Sequence, residues 1–294
     1  MTALRARGNQ SLRTRIAPTP SGYLHIGNAF SFILTWLLAR QNGGNLLLRI
    51  DDLDRARKRP EYVQDIFESL EWLGIDWDSG PTGPDDFESK YSQIHRLDLY
   101  ADAFDRLRLT DRLFACSCTR REVEARSHRC ACEISGLPLD SPNCSVRFRL
   151  EESCEVTIND LDPVTVRVGE THRNFVIRKR DGMPAYQLTS IVDDIHFKTT
   201  LIVRGLDLLE SSGLQLKIQD ALGDRSPLQF LHHPLVTKVD GSKLSKSKND
   251  TSLRSVRENS NAAMVIKEFS HWINLPGKSC ESLSDLLEQI RGIA

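Results

Sequence analysis

Pro18-Thr19-Pro20-Ser21-Gly22-Tyr23-Leu24-His25-Ile26-Gly27-Asn28 lies between a short apolar segment and a long one. We predict a strand over residues 13–18, a turn through the rest of the stretch, and a buried helix over residues 28–40. In such a unit the backbone N–H groups and the positive end of the helix face the carboxyl edge of a sheet. The pattern predicts a phosphate-binding turn, in which the glycines allow close backbone approach and His25 donates to a phosphate oxygen.

The residues that follow repeat the alternation of strand and helix. An apolar run at 46–50 is typical of a buried strand, and apolar residues recur at helical spacing over 63–73. Further strands are predicted over 175–178 and 201–203, each followed by a helix. This order predicts an α/β fold with a Rossmann-like parallel sheet.

Between the two halves of the predicted sheet, the sequence changes character. Short alternating runs at 146–150 and 164–168 favour a mostly β insertion, and two cysteine pairs at 116–118 and 130–132 predict that it contains zinc. Two more helices are predicted over 262–272 and 283–290. The predicted segments are a flexible N-terminal tail (1–14), the first half of the Rossmann domain (15–109), the inserted subdomain (110–172), the second half with a lysine loop (173–250) and a short helical tail (251–294).

Composition restricts the class of protein. The chain has 294 residues, of which 39% are hydrophobic and 27% charged, and no apolar run approaches the ~18 residues that would span a membrane. Its net charge is −1, so a nucleic-acid partner would be bound by local basic patches. Residues 1–14 lack the apolar core of a secretory signal, and a mitochondrial presequence is the alternative to a frayed tail. We expect a cytoplasmic monomer without membrane contact.

A second cationic motif lies near the end of the chain. Residues 240–248 read Asp-Gly-Ser-Lys-Leu-Ser-Lys-Ser-Lys, and Lys238 precedes them. Residues 238–248, which we call the lysine segment, would alone be typical of a solvated basic loop, and a lone loop histidine is usually structural. Their order in the chain favours a joint site, because both motifs follow strands at one edge of the predicted sheet. We predict that His25, Lys243 and Lys246 act together on phosphate charge.

Four of the seven cysteines form two Cys-x-Cys pairs. Cys116/Cys118 and Cys130/Cys132 are separated by 11 residues, a grouping typical of a tetrahedral, structural zinc ion. Reduced cysteines without metal are the alternative, and His128 is an alternative ligand. Interior packing is predicted for the remaining cysteines, Cys144, Cys154 and Cys280. Either phosphate binding or a solvated face would explain the surrounding arginines, Arg112, Arg120, Arg121, Arg126 and Arg129.

The two cationic motifs resemble the HIGH and KMSKS signatures of class I aminoacyl-tRNA synthetases. Residues 15–22 (Arg-Ile-Ala-Pro-Thr-Pro-Ser-Gly), 48–54 (Leu-Arg-Ile-Asp-Asp-Leu-Asp) and 73–77 (Leu-Gly-Ile-Asp-Trp) resemble the glutamyl and glutaminyl branch of that family. The resemblance implies ATP as a substrate, with Mg²⁺ on its phosphates. The ATP-binding residues that it implies are Pro18, Thr19, Gly22, His25, Gly27, Asn28, Lys243, Leu244, Ser245 and Lys246.

The resemblance also implies a glutamate site, whose residues are Arg15, Ala17, Thr19, Asp51, Tyr186, Ser190 and Arg204. Two arginines match the two carboxylates of glutamate, and the division between Arg15 on the side chain and Arg204 on the α-carboxylate is open. Asp51 would bind the ammonium group, although the family usually has glutamate there, so binding through water is an alternative. Ser190 replaces a larger residue of full-length glutamyl enzymes, which leaves another amino acid open.

The length of the chain after the lysine segment bears on the acceptor. Full-length glutamyl enzymes carry helical anticodon-binding domains there, and we do not expect the 47 residues after Ser247 to form them. We therefore expect the activity of the truncated members of this branch, which transfer glutamate to queuosine in the anticodon of tRNA(Asp). The alternatives are a minimal enzyme that charges a tRNA 3′ end, a nucleotidyltransferase, and a non-catalytic tRNA-binding paralogue.

Overall fold

The computed structural model describes residues 11–125, 130–150, 154–160, 162–168, 174–236, 252–277 and 280–293. These residues form two compact units. The first unit contains the described residues of Met1–His95, Thr199–Leu206 and Phe230–Ala294, and the second contains those of Arg96–Lys198 and Asp207–Gln229. The predicted insertion (110–172) lies within the second unit.

The strands and helices of the described residues are numbered along the chain. The strands are β1 (Arg13–Ile16), β2 (Asn45–Leu48), β3 (Leu113–Cys116), β4 (Ser145–Arg149), β5 (Cys154–Ile158), β6 (Val164–Val168), β7 (Asn174–Arg178), β8 (Leu201–Gly205) and β9 (Gln229–His233). The helices are α1 (Ile26–Gln41), α2 (Pro60–Leu73), α3 (Pro84–Asp86), α4 (Leu97–Arg108), α5 (Arg120–Ala125), α6 (Tyr186–His196), α7 (Leu209–Ala221), α8 (Leu253–Asn259), α9 (Ala262–Trp272) and α10 (Leu283–Ile293).

A β-α-β crossover opens the first unit. β1 and β2 pair in parallel, with Ile16 opposite Leu48, and α1 connects them. Beside β1 lies β8, where the Thr200 backbone N–H donates to the Arg13 carbonyl at 2.8 Å, and β8 pairs with β9. The α/β class predicted from the strand-helix alternation is therefore confirmed.

Helix ends and core of the first unit follow from the sequence. Pro60 occupies the first turn of α2, where no backbone N–H is required, and Gly74 ends the helix with a φ of 75°. One apolar core contains residues of α1, α2 and the strands, together with Leu253, Phe269 and Leu286 of the C-terminal helices. The helices predicted at 262–272 and 283–290 are confirmed as α9 and α10.

The second unit combines antiparallel strands with helices. β3, β4 and β7 form one sheet, and β5 and β6 form a hairpin. α7 packs against this hairpin, where a Cβ on Gly213 would collide with the side chain of Val168. The close approach of helix and hairpin therefore requires glycine at this position.

The placement of β7 differs from the expectation. We expected residues 175–178 to resume the parallel sheet, but β7 pairs antiparallel with β4. Phe148 and Phe175 stack across this pair with ring centroids 5.3 Å apart. The cross-strand aromatic contact stabilises the antiparallel pairing, which the apolar pattern of β7 alone does not specify.

Among the described residues, no helix combines the length and the apolar character that crossing a membrane requires.

Candidate nucleotide, amino-acid and metal sites

The His25 turn joins β1 to α1. His25 precedes the helix in an extended conformation, its backbone N–H donates to Asn28 Oδ1 at 3.0 Å, and its carbonyl accepts from the Asn28 N–H at 2.8 Å. The imidazole lies over Gly27, where a Cβ would be 3.0 Å from His25 Cε1. The structure thus brings His25, Gly27 and Asn28 together at the helix N-terminus, as the motif predicted.

The residues before His25 lie beside the end of β2. The Asp51 N–H donates to the Pro18 carbonyl at 2.9 Å, and the Ser21 N–H donates to the Thr19 carbonyl at 2.9 Å. A Cβ on Gly22 would meet no atom within 4 Å, so no packing contact of the described residues accounts for this glycine. The role of Gly22 in nucleotide approach stays a prediction.

The lysine segment lies outside the described residues, and with it Lys243, Leu244, Ser245 and Lys246. The described residues on either side of residues 237–251 both reach the His25 turn. Val236 Cβ is 3.9 Å from the position of a Cβ on Gly27. On the other side, Ser252 forms an antiparallel bridge with His25, and the Leu253 N–H donates to the Leu24 carbonyl at 2.6 Å.

Five of the predicted glutamate-site residues belong to the first unit. Arg15 and Arg204 are buried on neighbouring strands β1 and β8, with only 6% and 4% of their surface exposed. The Arg204 guanidinium carbon lies 5.6 Å from the centroid of the Phe230 ring. Ala17 is half-buried and Thr19 is exposed. Because Arg204 is buried, it does not form a surface salt bridge.

Asp51 is paired with an arginine that the sequence analysis did not include in the site. Arg49 Nε lies 2.8 Å from Asp51 Oδ1, Arg49 Nη2 lies 3.1 Å from Oδ2, and both side chains are buried. The sequence could have indicated this pairing, because residues at spacing i, i+2 lie on the same face of an extended chain. The charge of the Asp51 carboxylate is therefore already neutralised by arginine. A substrate ammonium group would donate to the lone pairs of the Asp51 oxygens that Arg49 leaves available.

Tyr186 and Ser190 belong to the second unit, on α6. Tyr186 begins the helix and is 43% exposed, whereas Ser190 is buried. Four residues apart, they lie on one face of the helix. With this exposure, Tyr186 is not a core tyrosine.

The two Cys-x-Cys pairs form one cluster in the second unit. Their four Sγ atoms all lie within 4.8 Å of one another, and the Cys116–Cys130, Cys118–Cys130 and Cys118–Cys132 pairs are 3.2, 3.4 and 3.7 Å apart. A tetrahedral zinc ion with bonds of about 2.3 Å places its sulfur ligands about 3.8 Å apart. The four cysteines therefore fit zinc. His128, Arg126 and Arg129 lie outside the described residues.

The thiols of the cluster differ in acidity. Burial raises the pKa of the Cys118 and Cys130 thiols. At Cys132 burial acts in the same direction, but hydrogen bonds with Ser117 and the neighbouring thiols lower the pKa to about 6. Zinc binding would release the remaining thiol protons, since the thiolate is the ligand. Cys144, Cys154 and Cys280 are buried, in agreement with the packing prediction.

Purified protein is expected to contain one zinc ion per chain, measured by inductively coupled plasma mass spectrometry. Cys130→Ser should abolish the zinc and lower the thermal midpoint, because the free energy of binding structural zinc, about 10 kcal/mol or more, contributes to folding. The matched control is Cys144→Ser, which changes a buried cysteine outside the cluster and should retain the metal. Folded wild-type protein without zinc would contradict the assignment.

Comparison with known proteins identifies the class to which this fold and these motifs belong. Residues 11–291 match the family described as tRNA synthetases class I (E and Q), catalytic domain. The chain belongs to this family.

Individual relatives carry two different names. A Glutamyl-Q tRNA(Asp) synthetase of Symbiobacterium thermophilum is 38% identical over 265 residues, which are 83% of this chain and 80% of that protein. A Glutamate–tRNA ligase of Anaeromyxobacter sp. (strain K) is 37% identical over 259 residues, which are 84% of this chain and 54% of that protein. The chain thus spans about half the length of the Glutamate–tRNA ligase.

A solved structure has the same fold. The crystal structure of a glutamate tRNA ligase from Elizabethkingia meningosepticum, in complex with its amino acid, aligns with a TM-score of 0.76 at 25% identity. The alignment covers 95% of this chain and 64% of that one. The likeness supports a Rossmann-like class I catalytic fold.

Proposed function

We propose that this protein activates glutamate with ATP and transfers it from glutamyl adenylate to queuosine in the anticodon of tRNA(Asp), acting as a monomer. The observation that carries the activation step is the meeting of Val236 and Ser252 with the His25 turn. These residues flank residues 237–251, which contain the lysine segment. The described residues on both sides of that segment therefore lie beside one helix N-terminus, where phosphates bind favourably, and this supports a joint action of the two cationic motifs.

The activation step needs no general base. A carboxylate is ionised at neutral pH, so its oxygen attacks the α-phosphorus of ATP, the bond to the bridging oxygen breaks, and pyrophosphate leaves with the electron pair. Catalysis then depends on positioning and on charge neutralisation. His25, Lys243 and Lys246 supply the positive groups, and Mg²⁺ on the phosphates adds Lewis-acid stabilisation.

Glutamate is supported as the amino acid by two buried arginines. Arg15 and Arg204 lie on adjacent strands, and each guanidinium matches a carboxylate through two parallel hydrogen bonds. Glutamine would place an amide against one of them, at a cost of roughly 1.5–3 kcal/mol for each charge-assisted bond lost. Asp51, neutralised by Arg49, is assigned to the ammonium group.

Queuosine in tRNA(Asp) is supported as the acceptor by the relatives of that name, which this chain matches over 80% and 81% of their length. A second candidate is aminoacylation of a tRNA 3′ end, favoured by 37% identity to a Glutamate–tRNA ligase. Both acceptors present a ribose-like cis-diol hydroxyl, whose oxygen attacks the adenylate carbonyl and expels AMP. The two functions therefore share the activation site and differ in how tRNA binds.

The test incubates the protein with ATP, labelled glutamate and one of three substrates, namely tRNA(Asp) with queuosine, tRNA(Asp) without it, and tRNA(Glu). Label is expected only on the queuosine-containing tRNA(Asp), and pyrophosphate exchange should require glutamate. Nuclease digestion then locates the label in the anticodon fragment. Periodate cannot identify a 3′ end here, because the cyclopentenediol of queuosine is also a cis-diol.

Each other outcome assigns a different function. Label on tRNA(Glu) would reject queuosine as the acceptor and retain glutamate activation. Exchange with another amino acid but not with glutamate would reject the substrate assignment. Binding of tRNA without exchange would favour the non-catalytic paralogue.

A further inference from the structure

Three consecutive residues at the start of α8 contact the three residues that end with His25. Ser252 bridges His25, and the Leu253 N–H donates to the Leu24 carbonyl at 2.6 Å. Arg254 Nη1 donates to the Tyr23 hydroxyl at 2.7 Å. The third contact differs from the first two, because it depends on the identity of two side chains and not on backbone groups.

Tyr23 contacts both an arginine and a second tyrosine. The Arg254 guanidinium carbon lies 5.1 Å from the centroid of the Tyr23 ring. Tyr23 also packs edge-to-face with Tyr62 of α2 at 4.9 Å between centroids. Cation–π and edge-to-face aromatic contacts are both directional, so together they fix the ring of Tyr23.

The far end of α8 is fixed to α2 by a separate arginine. Arg257 Nη2 lies 3.2 Å from Asp65 Oδ1 and 2.6 Å from Glu68 Oε2, and Arg257 Nη1 donates to Ser69 Oγ at 2.9 Å. Leu253 has no exposed surface, which fixes the near end. α8 is therefore a rigid support, and loss of the Arg254 side chain would leave its packing in place.

We propose that Arg254 is a positioning residue, which acts through Tyr23 to fix the His25 turn for adenylate formation. The inference rests on the activation step proposed above. His25 follows Tyr23 by two residues, and its ring already lies over Gly27. If the Tyr23 ring could move, the short backbone between Tyr23 and His25 would transmit the displacement to the imidazole. Small displacements of a group that contacts the transition state lower the rate strongly.

The test measures pyrophosphate exchange with ATP and glutamate in the full chain. Arg254→Ala is expected to lower kcat about tenfold, with KM for glutamate unchanged within about twofold and the thermal midpoint within about 2 °C, because the pair is partly exposed. Arg254→Lys retains a donor for the Tyr23 hydroxyl and should recover part of kcat. Tyr23→Phe should lower kcat by itself and add nothing to Arg254→Ala, since both remove the same contact.

The matched control is Glu258→Gln. Glu258 binds Arg254 Nε at 3.0 Å on the exposed side of α8, and its loss leaves the Tyr23 contact intact, so kcat should equal that of wild type. Wild-type kcat in Arg254→Ala, an equal loss in Glu258→Gln, or multiplicative losses in the double variant would each overturn the positioning role. Absence of exchange in the wild-type protein would instead overturn the proposed function.

Discussion

Substitution of Arg204 by leucine is expected to lower kcat/KM for glutamate in adenylate formation by about 100- to 10,000-fold, because two charge-assisted hydrogen bonds of about 1.5–3 kcal/mol each are lost. The residue is 4% exposed on β8, and its guanidinium carbon lies over the Phe230 ring. Burial and this contact restrict the side chain before the substrate binds, so little side-chain entropy is lost on binding a carboxylate. Pyrophosphate exchange at varied glutamate and fixed saturating ATP measures the effect.

Two variants separate binding from folding. Arg204→Lys retains the charge and loses the planar fork, so kcat/KM should fall by about tenfold. Arg147 is also a buried arginine, donates to the Asn174 carbonyl at 2.7 Å, and is not among the predicted pocket residues. Arg147→Leu should lower stability and leave KM for glutamate unchanged. If Arg204→Leu changed only the thermal midpoint, Arg204 would be a structural residue.

Local patterns were sufficient to predict most helices and strands. α1 is apolar on nearly all sides because it is buried on nearly all sides, and α2 ends at a glycine with positive φ. The partner of β7 could not be predicted in this way. Its alternating residues specify a strand with one buried face, but the choice of β4 as neighbour depends on Phe148, 27 positions earlier than Phe175 in the sequence.

The candidate sites were predictable where the signal is local. The cysteine cluster follows from two short spacings, and its four thiols do converge. The pairing of Arg49 with Asp51 is also local, because the two residues are two positions apart in an extended segment. The predicted glutamate site included Asp51 but not Arg49. The contact of Arg254 with Tyr23 joins residues 231 positions apart. No local pattern encodes it, because it arises only when α8 packs beside the His25 turn.

Replacing Asp193 by alanine is expected to lower the free energy of unfolding of the second unit by about 3–5 kcal/mol. Asp193 has no exposed surface and accepts from Arg96 Nε at 2.9 Å, from Arg96 Nη2 at 3.1 Å and from the Tyr100 hydroxyl at 2.8 Å. Burial and the charge of Asp193 raise the pKa of Tyr100, so the phenol remains a donor. The variant would leave the largely buried guanidinium without this carboxylate.

Urea unfolding followed by hydrogen exchange of α4 and α6 amides measures the loss in the unit concerned. Asp105→Ala is the matched control, because Asp105 lies on α4, which packs against α6, but has 71% of its side chain exposed. This variant should change stability by less than about 0.5 kcal/mol. Tyr100→Phe removes one donor and should cost about 1 kcal/mol. Equal effects of Asp193→Ala and Asp105→Ala would show that the buried network contributes little.

Asp193 lies on the helix that carries Tyr186 and Ser190. Tyr186, Ser190 and Asp193 recur at i, i+4 and i+7 on α6 and lie on one face of it. Arg96, which precedes α4, and Tyr100 of α4 bind that face at Asp193, so they hold the helix that carries two predicted glutamate-site residues.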